Sequence, residues 1–268
     1  MYLLEYIRAV YAVVRECSNW PEVLAGIIRM RLNVSDEKPF LVKTRKGSVV
    51  LCGSSKEAAG GVKSCLIDDE YNFMLLAKTL SFGGTVIDVG ANVGAFSLAL
   101  NELRPDLQFV LYEPSEGALY FLEQNIKANN LGDKVKIFCE AVTDSDGWIT
   151  FWAGGSSSVF SSIYQQKLDA VPVKVKSVSL KTVVDRVGGP IELLKLDCEG
   201  AEYDIIVGSN PRLFEAVRAI IFEYHTIILG DAKVHEMLST LQSLGFYTVW
   251  ERHGRYLGMA YLRKIVRD

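Results

Sequence analysis

The stretch TVIDVGANVGAF, residues 85–96, decides the fold. It opens as a short apolar strand, TVIDV, and closes on the first residues of a helix, with glycines and an asparagine between. Gly90 and Gly94 let the backbone turn sharply and approach a ligand where a Cβ would intrude. A helix beginning near Gly94 or Ala95 presents unpaired amides, and Asp88 at the strand end offers acceptors to a cationic ligand group. In an open parallel sheet, this handover from the first strand to its helix is where ligands gather.

Outward from that point the same rhythm repeats. From residue 71 onward, YNFMLLAKTL reads as a helix, AFSLALNEL as a helix, QFVLYE as a strand, GALYFLEQNIKANN as a helix and KVKIFCEAV as one strand. GWITFWAGG and VPVKVKSV read as β segments on either side of a serine-rich loop, residues 154–162, whose glycines and hydroxyls suit either a substrate lid or a plain linker. LKTVVDRV, IELLKLD, AEYDIIVG, VRAIIFEYH and a helix over 232–243 resume the alternation, and GFYTVWE with RYLGMAYLRK closes it as an antiparallel hairpin. The expected fold is therefore α/β, a Rossmann-like, doubly wound, mostly parallel seven-stranded sheet with an antiparallel closing strand. Residues 71–268 form this domain. Residues 1–70 form an appendage: an amphipathic first helix, a second helix capped by Asn19 with Glu22 completing a capping box, and a hairpin turning at Lys46-Gly47.

The chain has 268 residues, 49% apolar and 23% charged, with a net charge of −3, values of an ordinary globular protein. With 29 basic against 32 acidic residues, no field of one sign is available to hold a nucleic acid, and none is expected as a partner. Five cysteines, at 17, 52, 65, 139 and 198, form no CxxC pair and read as reduced thiols, so a cytoplasmic location is expected. The apolar start, YLLEYIRAVYAVV, is interrupted by Glu5 and Arg8 and matches neither a signal peptide nor a membrane span. The N-terminal helices either cover the active-site mouth or pair two subunits, and their excess of apolar surface favours a homodimer.

Two cofactor classes use such a strand–helix handover. A dinucleotide site wants GxGxxG, and here those positions hold Gly90, Asn92 and Ala95, so the middle requirement fails. A carboxylate before the turn also suits an amino-acid ammonium better than a diphosphate, and S-adenosylmethionine carries such an ammonium. The step of 19 residues from Gly94 to Glu113 places an acid where it reaches ribose hydroxyls, with Pro114 turning the chain beyond it. Glu140 and Ala141, in the CEAV that ends the third strand, are placed to border an adenine ring.

Four segments in this order, VIDVGANVGAFSL, VLYEPS, AVTDSDG and LLKLDCEGAEYDIIVGS, resemble the FkbM family of class I S-adenosylmethionine-dependent methyltransferases over about residues 71–250. The family's KIDVEGAE stands here as KLDCEGAE, with Cys198 in an aliphatic position. The resemblance implies that Asp88, Gly90, Asn92 and Gly94 line the methionine end of the cofactor and that Glu113 holds the ribose. It also implies that Glu140 and Ala141 lie near adenine and that Asp197 and Glu199 face the transferable methyl. Glu202 and Tyr203, on the first turn of the next helix, are placed to touch the acceptor, although dipole complementarity alone accounts for an acid there.

The activity implied is O-methylation of a hydroxyl on a sugar or another small polyhydroxylated or natural-product acceptor. Asp197, Glu223 and His225 fall at carboxyl ends of strands, and His225, which titrates near neutrality, is the leading catalytic base. A divalent metal held by Asp197, Glu223 and His225 is the less favoured reading, and no metal ligand is assigned. Lys195, inside LLKLD, fits an ion-paired strand residue as well as a functional one. The alternatives are an NAD-dependent oxidoreductase and an S-adenosylmethionine-binding module without turnover.

Overall fold

In the computed structural model of the chain, residues 2–31, 39–53, 56–153, 171–198, 200–254 and 257–265 are described. The serine-rich stretch 154–162 and Glu199 lie outside them. The described residues fall into two compact units. One comprises Met1–Leu80, Ala91–Asp106 and Ser115–Val135; the other comprises Ser81–Gly90, Leu107–Pro114 and Lys136–Asp268.

The first unit begins with α1 (Tyr2–Glu16) and α2 (Trp20–Arg31), followed by the hairpin β1 (Phe40–Lys43) and β2 (Val49–Cys52). The hairpin pairs Phe40 with Cys52 and turns through Gly47 at φ 117°, as the Lys46-Gly47 signal implies. Asn19 does not close a capping box. Its Nδ2 does reach Glu22 Oε2 at 2.9 Å, but side chain to side chain, while its Oδ1 accepts from the Lys43 amide at 2.9 Å and its Nδ2 also donates to the Leu41 carbonyl at 2.8 Å, which ties the start of α2 to β1. Helix α3 (Lys56–Leu66), whose glycine pair hides it in the sequence, precedes α4 (Phe73–Thr79). Helices α5 (Ala95–Leu103) and α6 (Glu116–Ala128) complete the unit. Asn125 of α6 accepts from the Leu51 amide at 2.6 Å and donates to the Val93 carbonyl at 2.9 Å, a buried amide fully used in joining three segments.

The second unit carries the seven-stranded sheet. Its strands are β3 (Thr85–Val89), β4 (Gln108–Tyr112), β5 (Val135–Phe138), β9 (Ile191–Leu196), β10 (Ala219–His225), β11 (Phe246–His253) and β12 (Leu257–Lys264), in the order β11-β12-β10-β9-β3-β4-β5. Strands β4, β3, β9 and β10 pair in parallel, and β12 runs antiparallel to both β10 and β11. Every residue of IELLKL in β9 is buried, which fits a central parallel strand. The core on one sheet face draws Ile87, Val89, Leu194, Leu196, Phe222 and Tyr224 from the strands. Against them pack residues of α7 (Leu180–Val187), α8 (Glu202–Gly208), the 3₁₀ turn Pro211–Ala216 and α9 (Thr226–Ser243). Helix α9 begins earlier than the sequence pattern suggests and is broken at Gly230 (φ 74°).

The segment read as one strand, KVKIFCEAV, is two. Strand β5 ends at Phe138, and β6 (Ala141–Thr143) belongs to a separate three-stranded sheet with β7 (Gly147–Ala153) and β8 (Val171–Ser179), in the order β6-β8-β7. The break is held by charge. Glu140 is paired with Arg186 of α7 and, at 2.7 Å, with Lys176 of β8, while the Arg186 guanidinium lies 4.5 Å from the centre of the Phe138 ring.

Candidate active site

The parallel strands bring their carboxyl ends to one edge of the sheet, and the hydrogen-bond ladder runs one residue beyond each. The Gly90 amide donates to the Tyr112 carbonyl (3.0 Å), Glu113 to Phe138 (3.1 Å) and Asp197 to Val89 (3.2 Å). These bonds fix Gly90, Glu113 and Asp197 on that edge, with Glu223 and His225 at the end of β10. The chain passes from β3 to β4 and β5 on one side and returns through β9 on the other, so β3 and β9 flank the topological switch point. Gly90 sits there at φ 75°. A Cβ on it would stand 2.8 Å from the Asp197 carbonyl carbon and well inside contact distance of its oxygen, so the second backbone occupies the space of the missing side chain.

At the same point, four groups surround the Lys195 ammonium. Asp88 Oδ1 is 3.0 Å away, Asp197 Oδ2 3.3 Å, the Gly90 carbonyl 2.9 Å and the Val89 carbonyl 3.3 Å. Asp88, expected to meet a cationic group of a ligand, is 0% exposed and meets a cation of its own chain. Asp197 keeps a quarter of its side chain in solvent (25%), so it is the carboxylate of the pair that faces outward. The signal for this cluster is present in the sequence: a lysine within an otherwise apolar buried strand requires partners of opposite charge.

His225 is buried, and desolvation lowers its pKa below the ordinary value while the nearby Asp197 charge opposes the shift. The imidazole is therefore neutral around pH 7. Its Nε2 lies 3.7 Å from Glu223 Oε1, beyond a normal hydrogen bond but within ion-pair reach should the ring take up a proton. His225 occupies the N-cap position of α9 without making a side-chain cap. On the opposite face of β10, the Tyr224 hydroxyl meets His253 Nδ1 at 2.8 Å, and desolvation is the main cause that raises the Tyr224 pKa.

Glu113 and Glu140 are both buried at the ends of β4 and β5. Arg186 and Lys176 hold the Glu140 carboxyl below the usual carboxylate range, against the opposing effect of burial. Ala141 is buried and opens β6, and Pro114 follows Glu113 into the turn before α6. In the first unit, Asn92 (φ 50°) and Gly94 (φ 85°) both take the left-handed conformation, and Gly94 caps α5 as the sequence implies. Glu202 does not face outward as an acceptor contact, whereas the Tyr203 hydroxyl stays at the surface. The fully buried Glu202 carboxylate folds back to accept from the Cys198 (2.6 Å) and Gly200 (2.8 Å) amides. The Tyr203 hydroxyl donates to Glu236 at 2.7 Å. Among the described residues no group of three or more His, Cys, Asp or Glu side chains is placed to hold a metal ion, so Asp197, Glu223 and His225 do not form one. None of the described helices is long and apolar enough to cross a membrane.

A mostly parallel sheet whose acidic residues gather at its switch point defines a Rossmann-like α/β domain. A sequence model of the methyltransferase FkbM domain matches residues 88–247, more than half of the 268, and the chain belongs to that family. It is 26% identical over 168 residues to the methyltransferase sdnD of Sordaria araneosa, covering 52% of this chain and 65% of that protein, so it spans less than two thirds of that relative's length. It is 27% identical over 177 residues to the 2-O-methyltransferase NoeI of Sinorhizobium fredii, covering 59% of this chain and 71% of the relative. The crystal structure of Trm5b from Pyrococcus abyssi shares the fold, with a TM-score of 0.50 at 11% identity over 85% of this chain and 56% of that one. Membership in a methyltransferase family decides against the nicotinamide oxidoreductase.

Proposed function

We propose that the chain transfers the methyl group of S-adenosylmethionine to a hydroxyl of a sugar or another small polyhydroxylated or natural-product acceptor. The observation that carries this reading is the switch point itself, where the outward Asp197 and the neutral His225 stand on adjacent strand ends. The donor set fits the cofactor: an anionic edge formed by Asp197 and Glu113 complements a positively charged sulfonium and its ammonium. When bound, the cofactor supplies an electrophilic methyl on sulfur.

The remaining work falls to the protein. Glu113 accepts from ribose hydroxyls, with Pro114 turning the chain away behind it, and Glu140 with Ala141 borders the adenine. Alignment of the acceptor oxygen with the methyl supplies much of the rate in such a displacement, so the rigid strand ends matter more than any single contact. The neutral His225 ring carries a lone pair at one nitrogen and takes the proton the acceptor hydroxyl releases, and the Glu223 carboxylate stabilises the resulting cation. The family relationship and the 2-O-methyltransferase name of one relative support a hydroxyl as the acceptor.

The test has two stages. Calorimetry with S-adenosylhomocysteine is expected to show one binding site, lost in Glu113→Ala; no uptake by folded wild-type protein overturns the proposal. Labelled methyl transfer to a panel of sugars, glycolipids and hydroxylated metabolites is then expected to find an acceptor. Binding without transfer to any of them identifies a cofactor-binding module instead.

A further inference from the structure

Asp88, Lys195 and Asp197 form a group with one more carboxylate than ammonium, at the paired carboxyl ends of β3 and β9. Asp88 is 0% and Lys195 2% exposed, so their mutual neutralisation takes place out of water, where an uncompensated charge is costly. We infer that Lys195 is a charge-setting positioning residue: it cancels Asp88 and leaves the trio a net charge of −1, through which the site prefers a cationic donor to its neutral product. This rests on the donor reading above, and it concerns the chain's own residues.

The chemistry of the ligand makes the inference specific. A sulfonium donor carries one methyl and one positive charge more than the thioether left after methyl transfer, and the rest of the two molecules is the same. Hydrogen bonding therefore serves both alike, and beyond the space of that one methyl it is the charge at the strand ends that distinguishes them. A site of this sign favours loading of the donor and release of the product. Lys195 holds Asp197 in place for that purpose and also joins the β3 and β9 ends through the Val89 and Gly90 carbonyls.

Two variants separate charge from support. Asp88→Asn keeps the shape and an acceptor for Lys195 but brings the trio to zero. The double variant Asp88→Asn with Lys195→Met removes the internal pair and restores −1. Calorimetry on the full chain compares S-adenosylhomocysteine with sinefungin, which places an amine where the donor has its sulfonium. We expect Asp88→Asn to weaken sinefungin about tenfold or more while S-adenosylhomocysteine changes less than about threefold, and the double variant to bring the ratio of the two back toward wild type. Circular dichroism confirms that each variant is folded; should Asp88→Asn fail to fold, a wild-type-like ratio in the double variant supports the inference and a collapsed ratio overturns it. Equal weakening of both ligands shows mere structural support and overturns the charge role alone. If wild-type protein binds neither ligand, the donor reading falls and this inference with it.

Discussion

Replacing Gly90 by alanine tests the packing at the switch point directly. Alanine at φ 75° adopts a left-handed conformation that costs about 1–2 kcal/mol. Its Cβ would meet backbone, not a side chain that can swing away: the Asp197 carbonyl carbon is 2.8 Å off and the oxygen nearer still. Relief requires the β3 and β9 ends to part by roughly an ångström, and the bond from the Asp197 amide to the Val89 carbonyl, already 3.2 Å long, does not survive that. Leaving those two groups unpaired adds about 1–3 kcal/mol. The total of about 3 kcal/mol corresponds to a fall in Tm of roughly 6–12 °C for a domain of this size. Gly94→Ala is the control. It has a similar φ of 85°, but its Cβ meets only the Leu122 Cδ1 methyl at 2.8 Å, which side-chain rotation relieves, so about 1–2 kcal/mol is expected. Differential scanning fluorimetry of both variants decides the matter. A Gly90→Ala protein that melts no lower than Gly94→Ala would refute the inference that two backbones meet at this glycine.

His225 folds with its pKa below 6.5, so below that pH the unfolded chain binds the extra proton; its contribution is lost as pH falls from 6.5 towards the folded value. Urea midpoints measured between pH 5 and 8 are expected to fall less steeply on the acid side for His225→Gln than for wild type, and parallel curves would contradict a buried neutral ring. The same variant is expected to slow methyl transfer by about 10²–10⁴-fold with S-adenosylhomocysteine affinity unchanged; a loss confined to binding would assign the ring to the cofactor. Arg186→Ala removes one of two cations from Glu140 and uncovers Phe138, for an expected loss of about 1–2 kcal/mol in thermal unfolding. Lys181→Ala, whose pair with Asp185 is exposed, serves as its near-neutral comparison.

The parts of this fold that the sequence makes legible are those set by neighbours along the chain. TVIDV followed by glycine gives β3 and the start of α5, and the spacing from Gly94 to Glu113 gives the second strand end. The hairpin turn at Gly47 needs only its own four residues. What escapes a linear reading depends on partners far away. Asn19 looks like a helix cap until Lys43 and Leu41 claim its amide. KVKIFCEAV keeps its apolar run across a change of sheet because the cause, Arg186 and Lys176, lies some forty residues on. Asp88 looks outward-facing until Lys195 is placed beside it, and Glu202 looks exposed until the loop ahead of it closes over its carboxylate. In each case a polar side chain met a protein partner where local pattern left a choice between solvent, ligand and chain.

The interruption at Cys139 bears on where the chain tolerates added length. Between Phe138 and Ile191 the polypeptide leaves the principal sheet and builds a small one with its own apolar centre of Ala141, Phe151 and Val175. Changes of length at the far end of the small sheet need not disturb the register of β3, β4 and β9, whereas changes in α7 would, since Leu180 and Val183 pack in the main core; lengthening a closed loop twofold costs only about 0.6 kcal/mol in entropy. Added length is thus expected to cost less inside that small sheet than at the strand ends, so long as Glu140 and Ala141 at its entry are kept.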